Sequence, residues 1–198
     1  MQSKSSIASR YDEAWRAAAP YMPARKNYIH IPLSFRFAGQ LLDAFPDADT
    51  DIVHLAILLH DVGWQNVDAA TMEHCFSAKF TTDARVLHEK EGARLAREIL
   101  QRIGWPETVI AAVCEIIDGH DTRAESVSLN DRIVRDADKL WRFTVTGVAV
   151  VADWLKMTPH QYVDWLEQLI ASLETETGRE MAAGELSLTR SVLMLHLI

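Results

Sequence analysis

The string LAILLHDVG places His60 beside Asp61 at the end of an apolar run. An adjacent imidazole and carboxylate suit a divalent cation, because the anion offsets the ion's charge while a neutral ring nitrogen donates a lone pair. Two chargeable side chains at the end of an apolar segment also need partners once buried. His30, in HIPLSFRFA, and Asp138, in DADKLW, are flanked by apolar residues that turn them inward. An isolated His-Asp pair arises often by chance, and the helix dipole favours a histidine at a helix C-terminus anyway. The ordered set of His, His-Asp and Asp is what points to a metal.

Other chargeable residues compete for roles. Asp136 stands two residues from Asp138, about 200° around a helix, so the two carboxylates do not face one ion. His88, in HEKEGARLA, and His120, in IIDGHD, lie between the ends of the set and are candidate ligands or candidate contacts to a substrate anion. His54 lies about 10 Å from Asp61 by helical rise, which makes it a core residue. His74 and Cys75 have no ligand-spaced partner, and His160 and His196 have no supporting context. Asp68 and Gln65 are candidates for ordering a water, Asp121 for orienting the His120 ring, and Trp64 for stacking on a base or for packing. Lys139 and Arg36 are candidates for neutralising a phosphate, against the alternative of solvated surface charge. No Gly-rich phosphate loop, G-x-S-x-G elbow or Cys-His nucleophile context is present, which leaves water attack assisted by a metal as the economical chemistry.

These residues must be positioned by helices, because apolar positions recur mostly at three- and four-residue spacing. Ser5 or Ser6 can cap a first helix to Ala19, stopped by Pro20 and Pro23. A second helix is expected from Tyr28 to Phe45. Beyond the turn at Pro46, Asp47 and Asp49, the third is apolar nearly all round, ends at Gly63, and belongs in the core. The stretch from Trp64 to Thr82 reads as a long loop, of the kind that often carries function. Asp83 can cap a helix to Arg102, Pro106 opens one reaching Gly119, and Ser128 or Asn130 starts one through Trp141. The β-branched run Val145 to Leu155, a helix opened by Thr158-Pro159 with Tyr162, Leu166, Leu169 and Leu173 on one face, and a final apolar segment should pack the core or a dimer interface.

On His30, His60, Asp61 and Asp138 the chain resembles the HD-domain superfamily of metal-dependent phosphohydrolases, over roughly residues 28–142. LAILLHDVG and IVRDADKLW look like that family's two local signatures. The resemblance implies an all-α, HD-domain-like helical bundle with additional C-terminal helices. Residues 1–198 then form one domain, with a metal-binding core at 28–142 and a C-terminal helical extension at 143–198 packed on it. It implies His30, His60, Asp61 and Asp138 as ligands of a divalent ion (Mn, Fe, Co, Ni, Mg or Zn), and favours Asp138 over Asp136 because Lys139 follows. In branches with two ions it implies that Asp61 bridges and that His88 and His120 hold the second. The implied activity is hydrolysis of a phosphomonoester or phosphodiester, nucleotides included, by metal-activated water. Asp61 is then catalytic, with Lys139 and Arg36 as the candidates for neutralising the phosphate. A minority of similar helical proteins use the same six ligands in a di-iron oxygenase, and a non-catalytic nucleotide-binding module is a third reading. Ligand types alone do not separate the three.

Composition narrows the classes further. At 198 residues, about 70% of the unfolded surface can be buried, so no staple is obligatory. Apolar residues make up 48% and charged residues 24%, with eight glycines and six prolines, which excludes disorder and collagen-like structure. The net charge of -8 works against counterion-driven nucleic-acid binding. Two cysteines are too few for a disulfide framework, and neither a signal peptide nor a membrane-length apolar run is visible. The expected setting is cytoplasmic, with a small phosphoester as partner, no nucleic acid and no membrane. The apolar C-terminal segment is compatible with a homo-oligomer or with a core helix.

Overall fold

The computed structural model describes residues 7–67 and 82–195 of the chain. Among the described residues there is no strand, and the chain runs through α1 (Ile7–Ala18), α2 (Asn27–Ala44), α3 (Thr50–Leu59), α4 (Thr82–Arg102), α5 (Glu107–Ile117), α6 (Leu129–Leu140), α7 (Val145–Leu155), α8 (Pro159–Leu169) and α9 (Glu176–Leu195). The fold is all-α. No described helix is long and apolar enough to cross a membrane. Ser5, Ser6, Asp68, His74, Cys75 and His196 lie outside the described residues.

Helix starts follow local chemistry. Asp49 caps α3 by accepting from the backbone N–H groups of Asp51 and Ile52. Ser128, rather than Asn130, caps α6 through the Asp131 N–H. Thr158 and Gln161 form a reciprocal capping box at α8. Pro106 precedes α5 in an extended conformation instead of occupying its first turn. The β-branched run from Val145 is helical because Thr144 caps it and because burial of Val148, Val150 and Val151 outweighs a weak helix propensity.

α3 is the central rod. Every residue from Val53 to Leu59 is buried, with α2 along one side and α5 and α6 along others. α2 also packs on α6, which brings His30 across to Asp138. α4 lies on α5 and on the 3-10 turn Val62–Asn66 that follows α3. One apolar cluster joins residues from Tyr11 in α1 to Leu186 in α9.

Gly63 does not end α3, which stops at Leu59 with His60 as its cap. The glycine serves a close approach instead. A Cβ on Gly63 would lie 2.0 Å from the His88 carbonyl oxygen and 2.5 Å from the Gly92 nitrogen. Gly92 in turn faces the His60 carbonyl oxygen, at 3.0 Å from a Cβ built there. The backbones of α4 and the 60–63 turn therefore touch, and His88 is carried onto the His-Asp pair.

Candidate metal centre

Each chargeable group is set by the end or the face of a helix. His60 caps α3, and Asp61 begins the turn that follows. Asn27, the first residue of α2, donates from Nδ2 to the Asp61 carbonyl oxygen at 3.2 Å, and His30 follows one turn later. His88 lies on α4. His120 follows α5 through Gly119, whose φ of 123° suits only glycine. Asp138 is on the buried face of α6.

The six side chains converge. His30 Nε2 is 2.6 Å from Asp138 Oδ1, and its Nδ1 is 3.3 Å from Asp61 Oδ2. His60 Nε2 is 3.2 Å from Asp138 Oδ1 and 3.7 Å from Asp61 Oδ1. Asp61 Oδ1 also faces His88 Nε2 at 3.6 Å and His120 Nε2 at 3.8 Å. Three overlapping groups result: His30, His60 and Asp138; His60, Asp61 and His120; His88, His120 and Asp121. Asp61 stands between the first and third groups, while Asp121 joins the third through its Oδ2, 3.7 Å from His88 Nε2.

The donors fit a divalent cation. Carbonyl oxygens only accept, so Nδ1 of His60, 2.8 Å from Ile57 O, and Nδ1 of His120, 2.9 Å from Ile117 O, must carry protons. Their Nε2 atoms are thereby directed to the centre as lone-pair donors in the neutral ring. His60 Nε2 and His88 Nδ1 are buried without a hydrogen-bond partner among the described residues. Mixed nitrogen and carboxylate donors suit Mn, Fe, Co, Ni and Zn alike.

The electrostatics describe a site primed to exchange protons for a cation. Burial alone would push Asp61 and Asp138 up. The histidines override it, His60, His120 and His30 for Asp61 and His30 and His60 for Asp138, holding both well below the usual carboxylate range. Burial opposes protonation of His30 and His120. Asp138 and Asp61 nevertheless raise His30, and Asp61 with Asp121 pushes His120 up to about 10. His88 moves the other way, down to about 3, because burial is joined by repulsion from His120.

Supporting residues include Trp64, which the sequence marked, and Glu89 and Arg25, which it did not. Trp64, expected to stack on a base or to pack, is buried and donates from Nε1 to Asp61 Oδ1 at 2.9 Å. One face of its ring stacks on His88, with centroids 4.0 Å apart, and the Arg25 guanidinium lies 4.3 Å from its centroid. Glu89, beside His88 and buried, accepts from the backbone N–H groups of Asp121 and Thr122 and from the Thr122 hydroxyl, tying down the segment that carries His120.

Asp136 and Asp138 diverge as their spacing requires. Asp136 accepts from the N–H groups of Glu174 and Thr175 and from the Thr175 hydroxyl, so it anchors the approach to α9 and not the centre. His54 packs against Phe35 and Tyr11 and donates to Thr50 O. Gln65 and His160 are exposed.

Two expectations need correction. Lys139 and Arg36 do not line the cavity that opens on the centre. Lys139 Nζ donates to Ser172 O at 3.1 Å, because it points from α6 to the side on which Asp136 lies. Arg36 reaches Glu185 at 3.5 Å and lies over the Phe37 ring. Among the described residues, the cations at the cavity are Arg25, Arg85 and Arg142. Arg142 was legible in principle: it lies one turn beyond Asp138, with NH2 3.8 Å from Asp138 Oδ2. Arg25 and Arg85 carried no sequence signal. Arg25 and Lys26 both take left-handed backbone conformations, φ 48° and 57°, an unfavourable geometry that turns the chain into α2.

The cavity encloses about 290 Å³. It is lined by His30 with the carboxylates of Asp61, Asp121 and Asp138, by the three arginines, and by residues of α7 and α8. A family model described as HD domain matches residues 27–142, more than half of the chain. Among curated proteins and among solved structures, nothing matches the chain.

Proposed function

The chain belongs to the HD-domain family, generally one of metal-dependent hydrolases, and from that premise we propose that it hydrolyses a small phosphoester. The observation that carries this reading is the cavity itself, in which a buried His/Asp cluster able to hold a cation meets three arginines. An acidic cluster alone repels a phosphate. Arginines lining the same cavity, with fixed charge and forked donors, match the oxygens of one.

His30, His60, Asp61 and Asp138 would hold one divalent ion. His88, His120 and Asp121 offer donors for a second that shares Asp61. A bound divalent ion supplies a Lewis acid for a phosphoryl oxygen and lowers the pKa of a bound water towards neutrality. The chain does the rest. Arg142 and Arg25 orient the phosphate and offset its charge, so that the ester presents phosphorus to the acidic residues of the cavity. Asp61, tethered by Trp64 and Asn27, holds its carboxylate in one orientation between the four histidines. Asp121 is placed to take the proton lost by an attacking water.

The cationic flank calls for an anionic substrate, and a phosphoester is one. The test is metal content by elemental mass spectrometry on protein purified without added metal, followed by a phosphoester panel with Mn, Co, Ni and Mg. Phosphate release that Arg142→Ala cuts by about tenfold or more supports the reading. Two irons, oxygen consumption and no phosphate release would replace it with the oxygenase. Bound metal with no turnover of any ester would leave a binding module.

A further inference from the structure

Asp121 lies outside the six ligands that the family resemblance implies. Its Oδ2 nevertheless stands 3.7 Å from His88 Nε2, and it groups with His88 and His120. No helix sets it there. The turn that carries it is tied on either side of it: His120 Nδ1 donates to Ile117 O at 2.9 Å, the Arg123 N–H donates to Gly119 O at 2.9 Å, and Arg135 reaches Arg123 O from α6 at 2.8 Å. Between these ties, the N–H groups of Asp121 and Thr122 find no backbone acceptor among the described residues.

Glu89 supplies the missing acceptors. It lies on α4, one residue after His88, and is 1% exposed. Its Oε1 accepts from the Asp121 N–H at 2.7 Å and from the Thr122 N–H at 2.8 Å, and its Oε2 accepts from the Thr122 hydroxyl at 2.6 Å. A buried carboxylate is costly unless it is hydrogen-bonded, and these three bonds all fix one segment more than 30 residues away in the chain. α4 thus serves the third group twice, through His88 as a donor and through Glu89 as the anchor of Asp121. The first group, His30, His60 and Asp138, takes no residue from α4 or from this turn.

We propose that Asp121 is a further ligand, to a second divalent ion, and that Glu89 is its positioning residue. By fixing the main chain at Asp121, Glu89 sets the affinity for that ion and leaves the first group alone. It acts by reach and not by charge. A carboxylate can ligate through one oxygen and take a proton on the other, so Asp121 keeps its place beside an attacking water. The inference rests on the metal-binding part of the hydrolase reading and not on phosphate release.

Two substitutions in the full chain separate reach from charge. Glu89→Gln keeps the length of the side chain: its amide oxygen takes both N–H groups, and its amide nitrogen donates to the Thr122 hydroxyl, which turns to accept. Glu89→Asp keeps the charge but withdraws the carboxylate by about one carbon–carbon bond, roughly 1.5 Å, which breaks hydrogen bonds of this length. Mn is titrated into metal-free protein by calorimetry, and electron paramagnetic resonance tells a single ion from a coupled pair. The unaltered chain should bind two ions. Glu89→Gln should hold the second within about threefold, whereas Glu89→Asp should weaken it about 10- to 100-fold, with the first ion within about threefold in both. Asp121→Ala should weaken the second ion at least as much, and adding Glu89→Asp to it should change little further, because the two residues act as one unit.

The opposite order, with Glu89→Gln losing the second ion and Glu89→Asp keeping it, overturns the proposal. So does equal weakening of both ions, an additive loss in the double variant, or an unaltered chain that binds a single ion. If Glu89→Asp melts below the assay temperature, the other two variants still decide: loss of the second ion in Glu89→Gln, or its full retention in Asp121→Ala, overturns the proposal. Phosphate release is read separately. A second ion that depends on Glu89 as stated, with no release from any ester, would remove the hydrolase reading and leave this assignment standing.

Discussion

Replacing Gly63 with alanine sets a methyl group into the backbone of α4. The new carbon would lie 2.0 Å from His88 O, 2.5 Å from Gly92 N and 2.9 Å from the His88 carbonyl carbon. All three are main-chain atoms, so no side chain can swing aside. Restoring ordinary contact requires α4 to retreat from the 60–63 turn by roughly 1 to 1.5 Å. His88 Nε2 starts 3.6 Å from Asp61 Oδ1 and 3.4 Å from His120 Nε2, and it moves out of the group with the helix. Metal ligands tolerate errors of only about 0.2 Å, and a shift of this size should lower metal affinity about 10- to 100-fold. Overpacking should also cost about 1 to 3 kcal/mol, or a fall in Tm of about 2 to 10 °C at this chain length. Metal titration by calorimetry and thermal melts by circular dichroism read both quantities. An alanine variant with wild-type metal affinity and an unchanged Tm would refute the close approach of α4 as the device that places His88.

Trp64→Phe keeps a ring beside His88 but removes the donor to Asp61 Oδ1. Metal affinity should fall about tenfold or more with the helical signal intact, and unchanged affinity would show that this bond does not orient Asp61. Asp138→Ala and Asp136→Ala should separate cleanly. The first should abolish metal retention, read by elemental analysis. The second should retain metal but lose about 2 to 4 kcal/mol in denaturant unfolding, because two buried N–H groups are left unpaired; metal loss in the second alone would reverse the assignment. His120, pushed up to about 10, carries a proton at neutral pH that must leave before Nε2 can ligate. Its folded value lies above the ordinary value of about 6.5, so its contribution to the stability of metal-free protein is complete below that pH and is lost as pH rises towards 10. Metal affinity should rise over the same window. Metal affinity that falls with rising pH there would contradict the proton-for-metal exchange.

Much of the fold is legible in the sequence because it is local. Three- and four-residue apolar spacing, Asp49, Ser128 and Thr158 at helix starts, and an α3 apolar on every face follow from helix geometry and capping alone. The inward placement of His30 and Asp138 on their helices, and of His60 and Asp61 at the end of α3, follows too, since apolar flanks turn a polar side chain inward only if it has partners. The choice between Asp136 and Asp138 was legible from angle only as a choice, and the structure gives each a separate task. The roles of Gly63, Trp64 and Glu89 were not legible. Each acts on a group that is distant in the chain or tied to one: Gly63 on α4, Trp64 on the stacked His88, Glu89 on residues 121 and 122.

Charge around the cavity shows the division most clearly. The sequence reading named Lys139 and Arg36 as the phosphate-neutralising cations, but a neighbour in the chain is a neighbour in space only if the helix turns it to the same side. Lys139, one residue from Asp138, points to Ser172, whereas Arg142, one full turn away, stands beside it. Residue types, their order and their helical phase determined by themselves that this chain is an all-α bundle with an inward set of histidines and aspartates. Which cations face that set, how closely α4 approaches it, and that α7 and α8 line its cavity were decided only by tertiary packing. Those relations join segments far apart in the chain, through contacts that no local spacing encodes.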